Sequence, residues 1–246
     1  MNLHILWMYH DLMDLYGDRG NIQVLKGRCK ARDITISVDT CTIGEKKDPA
    51  AYDLVFLGGG ADREQELLHE DLLGRKADLD RALREGTTFL LICGGYQLFG
   101  QYYQDQDQKV IEGLSFFPYW TKATDRAHRC IGNIVIEANV DGKTFSIVGF
   151  ENHGGQTYDV ATPLGTVLYG NGNTFAGHDE GFVNERVIGT YMHGPLLPKN
   201  PQLADLVLHR ALKKRHGEVA LAPLDDQLET MAHERMLSRL HIQRAR

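Results

Sequence analysis

Thr88-Phe89-Leu90-Leu91-Ile92-Cys93-Gly94-Gly95-Tyr96-Gln97-Leu98-Phe99-Gly100 is the stretch from which the architecture can be worked out. Phe89 to Ile92 is an unbroken apolar run, the pattern of a strand buried on both faces. It enters paired glycines and then a short helical pattern, so the segment predicts strand, tight turn and helix in succession. Asp53-Leu54-Val55-Phe56-Leu57 running into Gly58-Gly59-Gly60 has the same form, with Asp62 placed to cap a helix beginning near Arg63. Leu3 to Met8 and Ile34 to Val38 read as two more strands, joined by a helix from Asn21 to about Arg32 that opens on Asp18-Arg19-Gly20-Asn21. This rhythm predicts an α/β fold with a mostly parallel sheet flanked by helices. Ligands of such sheets bind at the carboxyl edge of the strands, where Cys93 falls.

Beyond Gln101 the texture changes. Ile131 to Glu137, Thr144 to Gly149, Thr166 to Tyr169 and Val187 to Met192 are shorter, alternating segments, predicted as antiparallel additions to the sheet. A final helix has Asn200 as cap, Pro201 at its first position, Leu203, Leu206, Val207 and Ala211 as its apolar stripe and Gly217 as its end. Residues 1–225 are expected to form one domain, and 226–246 a peripheral helix or tail suited to a partner contact.

With 246 residues, 42% hydrophobic and 24% charged, the chain has the composition of a soluble enzyme and excludes disorder and a disulfide scaffold. A net charge of −6, with no Lys/Arg cluster outside the C-terminal tail, argues against a nucleic-acid partner. The amino-terminal residues are too few and too polar for a signal peptide or a membrane span, so a cytoplasmic protein without membrane insertion is expected. Cys29, Cys41, Cys93 and Cys130 form no C-x-x-C pair, and His10-Asp11 and His178-Asp179 lack a third ligand, so no metal site is predicted.

A thiol attacks as thiolate, and the amino end of a helix supplies partial positive charge and free N–H groups, both of which Cys93 would meet at its turn. The N–H of Gly94 can bind an oxyanion formed by that attack, and the Gly58-Gly59-Gly60 turn can supply a second donor. The base is His193, in Gly189-Thr190-Tyr191-Met192-His193-Gly194-Pro195, which also lies just past an apolar strand. His153, in Glu151-Asn152-His153-Gly154-Gly155, fits either a structural loop or a contact with substrate or partner, and Gly170-Asn171-Gly172-Asn173 reads as a loop.

Cys93-Gly94-Gly95-Tyr96-Gln97 resembles the C-x-G-x-Q elbow of class I glutamine amidotransferases. Together with Gly58-Gly59-Gly60, the 149–155 segment and Thr190 to Pro195, it is similar to the CobB/CobQ-like branch of that family over nearly the whole chain. The resemblance implies a flavodoxin-like fold, a γ-glutamyl thioester on Cys93, proton transfer by His193 and an oxyanion hole lined by Gly59 and Gly94. It further implies that Gln97 helps hold L-glutamine and that Arg129 pairs with its α-carboxylate, with Arg126 a rival for that role. Two departures stand out. Leu91 replaces a glycine common before the elbow, and His193 is followed by Gly194-Pro195 in place of x-Glu. A Cys-His dyad is therefore expected, its imidazole oriented by a backbone carbonyl or a carboxylate that the sequence does not identify.

Within the branch, Tyr16-Gly17-Asp18-Arg19-Gly20-Asn21, Ala61-Asp62-Arg63-Glu64-Gln65 and Leu196-Leu197-Pro198-Lys199-Asn200 resemble the glutaminase subunits of lipid II isoglutaminyl synthases. That likeness implies a heterodimer with a MurT-like Mur ligase subunit, which would use ATP to activate D-glutamate of lipid II. No G-x-x-x-x-G-K-[ST] loop occurs in this chain, and no cofactor is expected in it. Two alternatives stay open: a glutaminase for another acceptor such as a cobyric acid-like corrinoid, and a catalytically inactive partner-binding subunit.

Overall fold

A computed structural model describes residues 1–125 and 128–242. Its first half follows the predicted strand-helix rhythm: β1 (Asn2–Met8), α1 (Arg19–Lys30), β2 (Thr35–Cys41), β3 (Leu54–Leu57), α2 (Asp62–Gly74), α3 (Lys76–Arg84), β4 (Thr88–Ile92) and α4 (Gly94–Phe99). Then come β5 (Tyr102–Gln104), β6 (Val110–Glu112), β7 (Trp120–Ala123), β8 (Cys130–Val140), β9 (Lys143–His153), β10 (Gly155–Tyr158), β11 (Gly165–Tyr169), β12 (Asp179–Glu180), β13 (Phe182–Val183), β14 (Val187–Thr190) and β15 (Met192–His193). Two helices, α5 (Pro201–His216) and α6 (Gln227–Arg239), end the described chain.

The central sheet has the order β13-β14-β4-β3-β1-β2. All its pairs are parallel except β13 with β14 at one edge. Leaving out that edge strand, the order is the doubly wound one of flavodoxin-like folds. Every residue of β3 and β4 is buried, because helices cover both faces, and this is why these strands are continuous apolar runs instead of alternating ones.

Two expectations need correction. Residues 187–190, foreseen as part of an antiparallel addition, pair parallel with β4, Thr190 lying beside Ile92. Apart from β14 and the two-residue edge strand β13, the later strands do not extend the main sheet but build two sheets of their own, β10-β7-β5-β6, in which β5 and β7 pair parallel, and the antiparallel β12-β11-β8-β9-β15. The chain leaves the central sheet after Thr190 and joins the second of these at Met192–His193, which pair antiparallel with Glu151 and Phe150. Nothing in the local sequence marks that change of sheet.

The C-terminal helix α6 packs through Leu237 on Val135 and Val148, on the outer face of β8 and β9. The guanidinium of Arg28 on α1 grips both Asp205 on α5 and Asp226, the residue just before α6, at 2.6–2.9 Å. Residues 243–246 of the predicted tail lie outside the described residues. Among the described residues no helix is long and apolar enough to cross a membrane.

The crossing from β14 to β15 is held by one buried carboxylate. Glu180 accepts from the Thr190 hydroxyl and from the Tyr191 N–H at 2.9 Å, and burial pushes its carboxyl up from 4.5 to about 7. Its folded-state value lies above the unfolded one, so this group favours the fold most below pH 4.5 and loses that contribution as pH rises through about 7. Glu180→Gln is accordingly expected to flatten the fall of stability across that window in urea denaturation; an unchanged slope would assign it to another group.

Candidate active site

Cys93 occupies a backbone conformation that side chains rarely adopt, φ 49° and ψ −103°, at the junction of β4 and α4. Such a residue costs about 1–3 kcal/mol and persists only where its surroundings overdetermine it. Here the Cys93 N–H donates to Thr190 O at 2.7 Å and its carbonyl accepts from Gln97 N at 3.0 Å. Behind it, a Cβ on Gly95 would lie 2.7 Å from Leu57 O, so only glycine lets α4 start this close to β3. The result is a nucleophile elbow that lifts the thiol out of the sheet edge while the residue stays almost wholly buried.

His193 is fully buried and meets this elbow from the other side, carried there by the β15–β9 pairing. Burial is the largest influence on its imidazole and pushes it down. The charge of the Cys93 sulfur, and then the Asp18 carboxylate, outweigh that and raise it from 6.5 to about 10. Neither ring nitrogen closes a hydrogen bond of ordinary length, so the coupling in this state is mainly electrostatic.

Asp18 is the carboxylate the sequence left unidentified. It is fully buried, with Oδ1 3.6 Å from His193 Nδ1 and Oδ2 accepting the Gly59 N–H at 2.7 Å. By sequence this residue belonged to a helix start, yet its side chain makes no capping bond to α1. The signal available was the missing x-Glu after His193, but it could not say which of the chain's acids takes that place.

The predicted oxyanion donor Gly59 needs correcting on the same ground. A Cβ there would lie 2.6 Å from His193 Cε1 and 3.3 Å from Cys93 Cβ, so Gly59 does line the pair, but its N–H is committed to Asp18. Gly94, whose amide is the first after the nucleophile, is the other predicted donor. Gln97 also differs from expectation: its carbonyl accepts from Gln65 Nε2 at 3.2 Å and its amide donates to the Tyr191 hydroxyl at 3.1 Å. Both ends are spent inside the protein, so Gln97 fixes α4 against α2 and the segment that leads to His193. Tyr16 rests edge-on against His193 with ring centroids 5.1 Å apart, and its hydroxyl accepts from Asn152 Nδ2 at 2.5 Å.

Arg129 is exposed at the mouth, donating from Nη2 to Asn152 Oδ1 at 3.1 Å. Arg126 lies outside the described residues. His153 is a buried structural residue that the 151–155 segment left open between two roles. Its ring stacks on Tyr191 at 3.7 Å, and Nδ1 donates to Gly155 O at 2.7 Å. Burial, the largest influence, pushes it down, which keeps it neutral. Possible metal donors of Cys130, Glu151 and His153 lie within 4.8 Å of one another. The Glu151 oxygens, however, already accept from Asn171 at 2.8 and 2.9 Å and from Gly172 at 3.0 Å, tying the 170–173 loop to β9.

A strained cysteine at a parallel sheet's carboxyl edge, facing an imidazole backed by a carboxylate, defines a class I glutamine amidotransferase, and a solved structure described as a glutamine amidotransferase shares the fold. It matches with TM-score 0.53 at 12% identity, over 84% of this chain and 98% of its own. The chain belongs to the CobB/CobQ-like glutamine amidotransferase family, whose domain matches residues 4–201. It is 37% identical to the lipid II isoglutaminyl synthase (glutamine-hydrolyzing) subunit GatD of Staphylococcus aureus, over 98% of this chain and 99% of that protein. The GatD subunit of Streptococcus pneumoniae is 39% identical over 88% of this chain and 83% of its own length. A probable cobyric acid synthase of Methanocaldococcus jannaschii is 33% identical, but over 55% of this chain and 28% of that protein.

The protonated imidazole adds stability at pH below 6.5, and that stability is lost as pH rises through about 10. Asp18→Asn is expected to lower the titration of His193 from its value near 10, measured by NMR of the imidazole across pH. A titration identical to wild type would remove Asp18 as its partner.

Proposed function

We propose that this protein is the glutaminase subunit of a lipid II isoglutaminyl synthase. The observation that carries the chemistry is the juxtaposition of Cys93 and His193 around the place that a Cβ on Gly59 would fill. The Cys93 sulfur attacks the side-chain amide carbon of L-glutamine, and the tetrahedral oxyanion is met by the Gly94 N–H. His193 gives its proton to the departing nitrogen, ammonia leaves and a γ-glutamyl thioester forms. His193, now neutral, takes a proton from water; the hydroxide displaces the thiolate, glutamate leaves and the imidazolium–thiolate pair is restored. Asp18 holds the imidazolium in place through both halves. Gly59 can join the oxyanion hole once Asp18 releases its N–H.

The chain supplies its own nucleophile and base, so ATP is used on a partner. A MurT-like Mur ligase subunit fits that role, activating the D-glutamate carboxylate of lipid II so that ammonia converts it to D-isoglutamine in the cytoplasm. The near-complete overlap with the GatD subunits supports this acceptor. The small share of the cobyric acid synthase that is matched weighs against a corrinoid acceptor, and the assembled site weighs against an inactive scaffold.

Cys93→Ala is expected to abolish ammonia release from glutamine while the chain still copurifies with its partner; residual activity equal to wild type would refute the thioester. Arg129→Ala removes a charge-assisted contact and should raise the KM for glutamine about 10- to 100-fold. Unchanged glutamine dependence would place the α-carboxylate elsewhere. ATP- and glutamine-dependent amidation of lipid II by the copurified complex tests the acceptor, and failure with lipid II alongside intact glutamine hydrolysis would redirect it.

A further inference from the structure

We infer that Asp62 binds the α-ammonium group of the substrate and so makes the site specific for a free α-amino acid over other primary amides. The inference rests on the glutaminase reading and deepens it. A cleft of about 390 Å³ is lined by Asp62, Asp105, Gln106, Asp107 and Arg129. Among the described residues its lining combines a guanidinium with carboxylates, the pairing that a zwitterion requires: Arg129 meets the α-carboxylate, and an acid must meet the adjacent ammonium.

Asp62 opens α2 one residue beyond the Gly58-Gly59-Gly60 turn, whose Gly59 lies against Cys93. Residues three apart share a helix face, and the residue three positions on is Gln65. Gln65 bonds Gln97 on the elbow's helix, and its Nε2 would lie 2.9 Å from a Cβ on Gly94. The face of α2 that bears Asp62 is therefore registered to the nucleophile. Gly154 carries the same registration to Arg129: a Cβ there would lie 3.2 Å from Arg129 Nη1, while one on the adjacent Gly155 would lie 2.4 Å from Gln97 Nε2.

Among the acids of the cleft, Asp105 is turned to its own loop, where Oδ1 accepts from the N–H groups of Asp107 and Lys109 at 2.9 and 2.8 Å. Asp62 is held by a single Tyr103 hydroxyl at 3.2 Å and stays open to the cleft. Partial desolvation there pushes its carboxyl up, with Tyr103 and then the Arg129 charge opposing. Among the described residues it closes no direct ion pair with Arg129. An α-amino acid seated between the two supplies the charge that each lacks, and the substrate's side-chain amide is left to reach toward Cys93.

The test compares L-glutamine with 4-carbamoylbutanoate, which has the same amide and carboxylate but a hydrogen in place of the ammonium. Steady-state ammonia release is measured on the complex purified from its native host. Wild type should favour glutamine in kcat/KM. Asp62→Asn should raise KM for glutamine about tenfold or more with kcat little changed, leave 4-carbamoylbutanoate unaffected, and so erase most of the preference. Asp62→Glu should restore part of it. An undiminished preference in Asp62→Asn, or an equal loss on both substrates, overturns the assignment while leaving the glutaminase reading intact. No ammonia from either substrate with wild type sinks the glutaminase reading and this inference together.

Discussion

The site depends on the backbone of Cys93 being held in a conformation that a side-chain-bearing residue resists. The buried strand behind it, the Thr190 carbonyl that takes its N–H and the glycine that lets α4 start against Leu57 together force the turn. Relaxing any of them would let the chain return to ordinary helical or extended angles and withdraw the thiol from the sheet edge. The apolar density of β3 and β4 is thus part of the chemistry, because it is what holds that strain in place.

Around this fixed sulfur the charges are arranged in series. The imidazole of His193 has been taken out of water, which favours its neutral form, and is then placed between sulfur and the Asp18 carboxylate, which favour the charged one. The balance falls to the charged form. Asp18 has a second engagement with the Gly59 N–H, so the group that steadies the imidazolium also occupies a donor a tetrahedral intermediate could use. The two demands meet at one carboxylate because Gly59, lacking a Cβ, leaves the space into which His193, Cys93 and Asp18 close.

His193 reaches the elbow only because the chain crosses from the parallel sheet into an antiparallel one within three residues. Buried polar groups bracket that crossing. Glu180 grips Thr190 and Tyr191, Gln97 and Thr157 bond the Tyr191 hydroxyl, and His153 stacks on its ring. A network of this kind specifies one arrangement and resists others, although Glu180 Oε2 and His153 Nε2 close no hydrogen bond in it. It also explains why Gln97, placed by motif at the substrate, is used instead to hold the framework.

What could be read from the chain alone was whatever depends on near neighbours in sequence. Apolar runs ending in glycine located the parallel strands to within a few residues, and the elbow and the strand-end histidine marked the two groups that the fold brings together. Asp18, Gln65 and Glu180 could not be recognised in this way, since an acid or amide in a polar stretch looks the same whether it faces water or, as Asp18 does, a histidine 175 positions later. Likewise β14 is too short for its pattern to fix a direction, and only its place beside β4 shows it to be parallel. The sequence by itself determined which local shapes form and that a cysteine sits at the strand-to-helix turn. The tertiary structure decided which carboxylate lies beside the histidine and which glycine amide that carboxylate already binds, because those depend on distances between segments that no local pattern encodes.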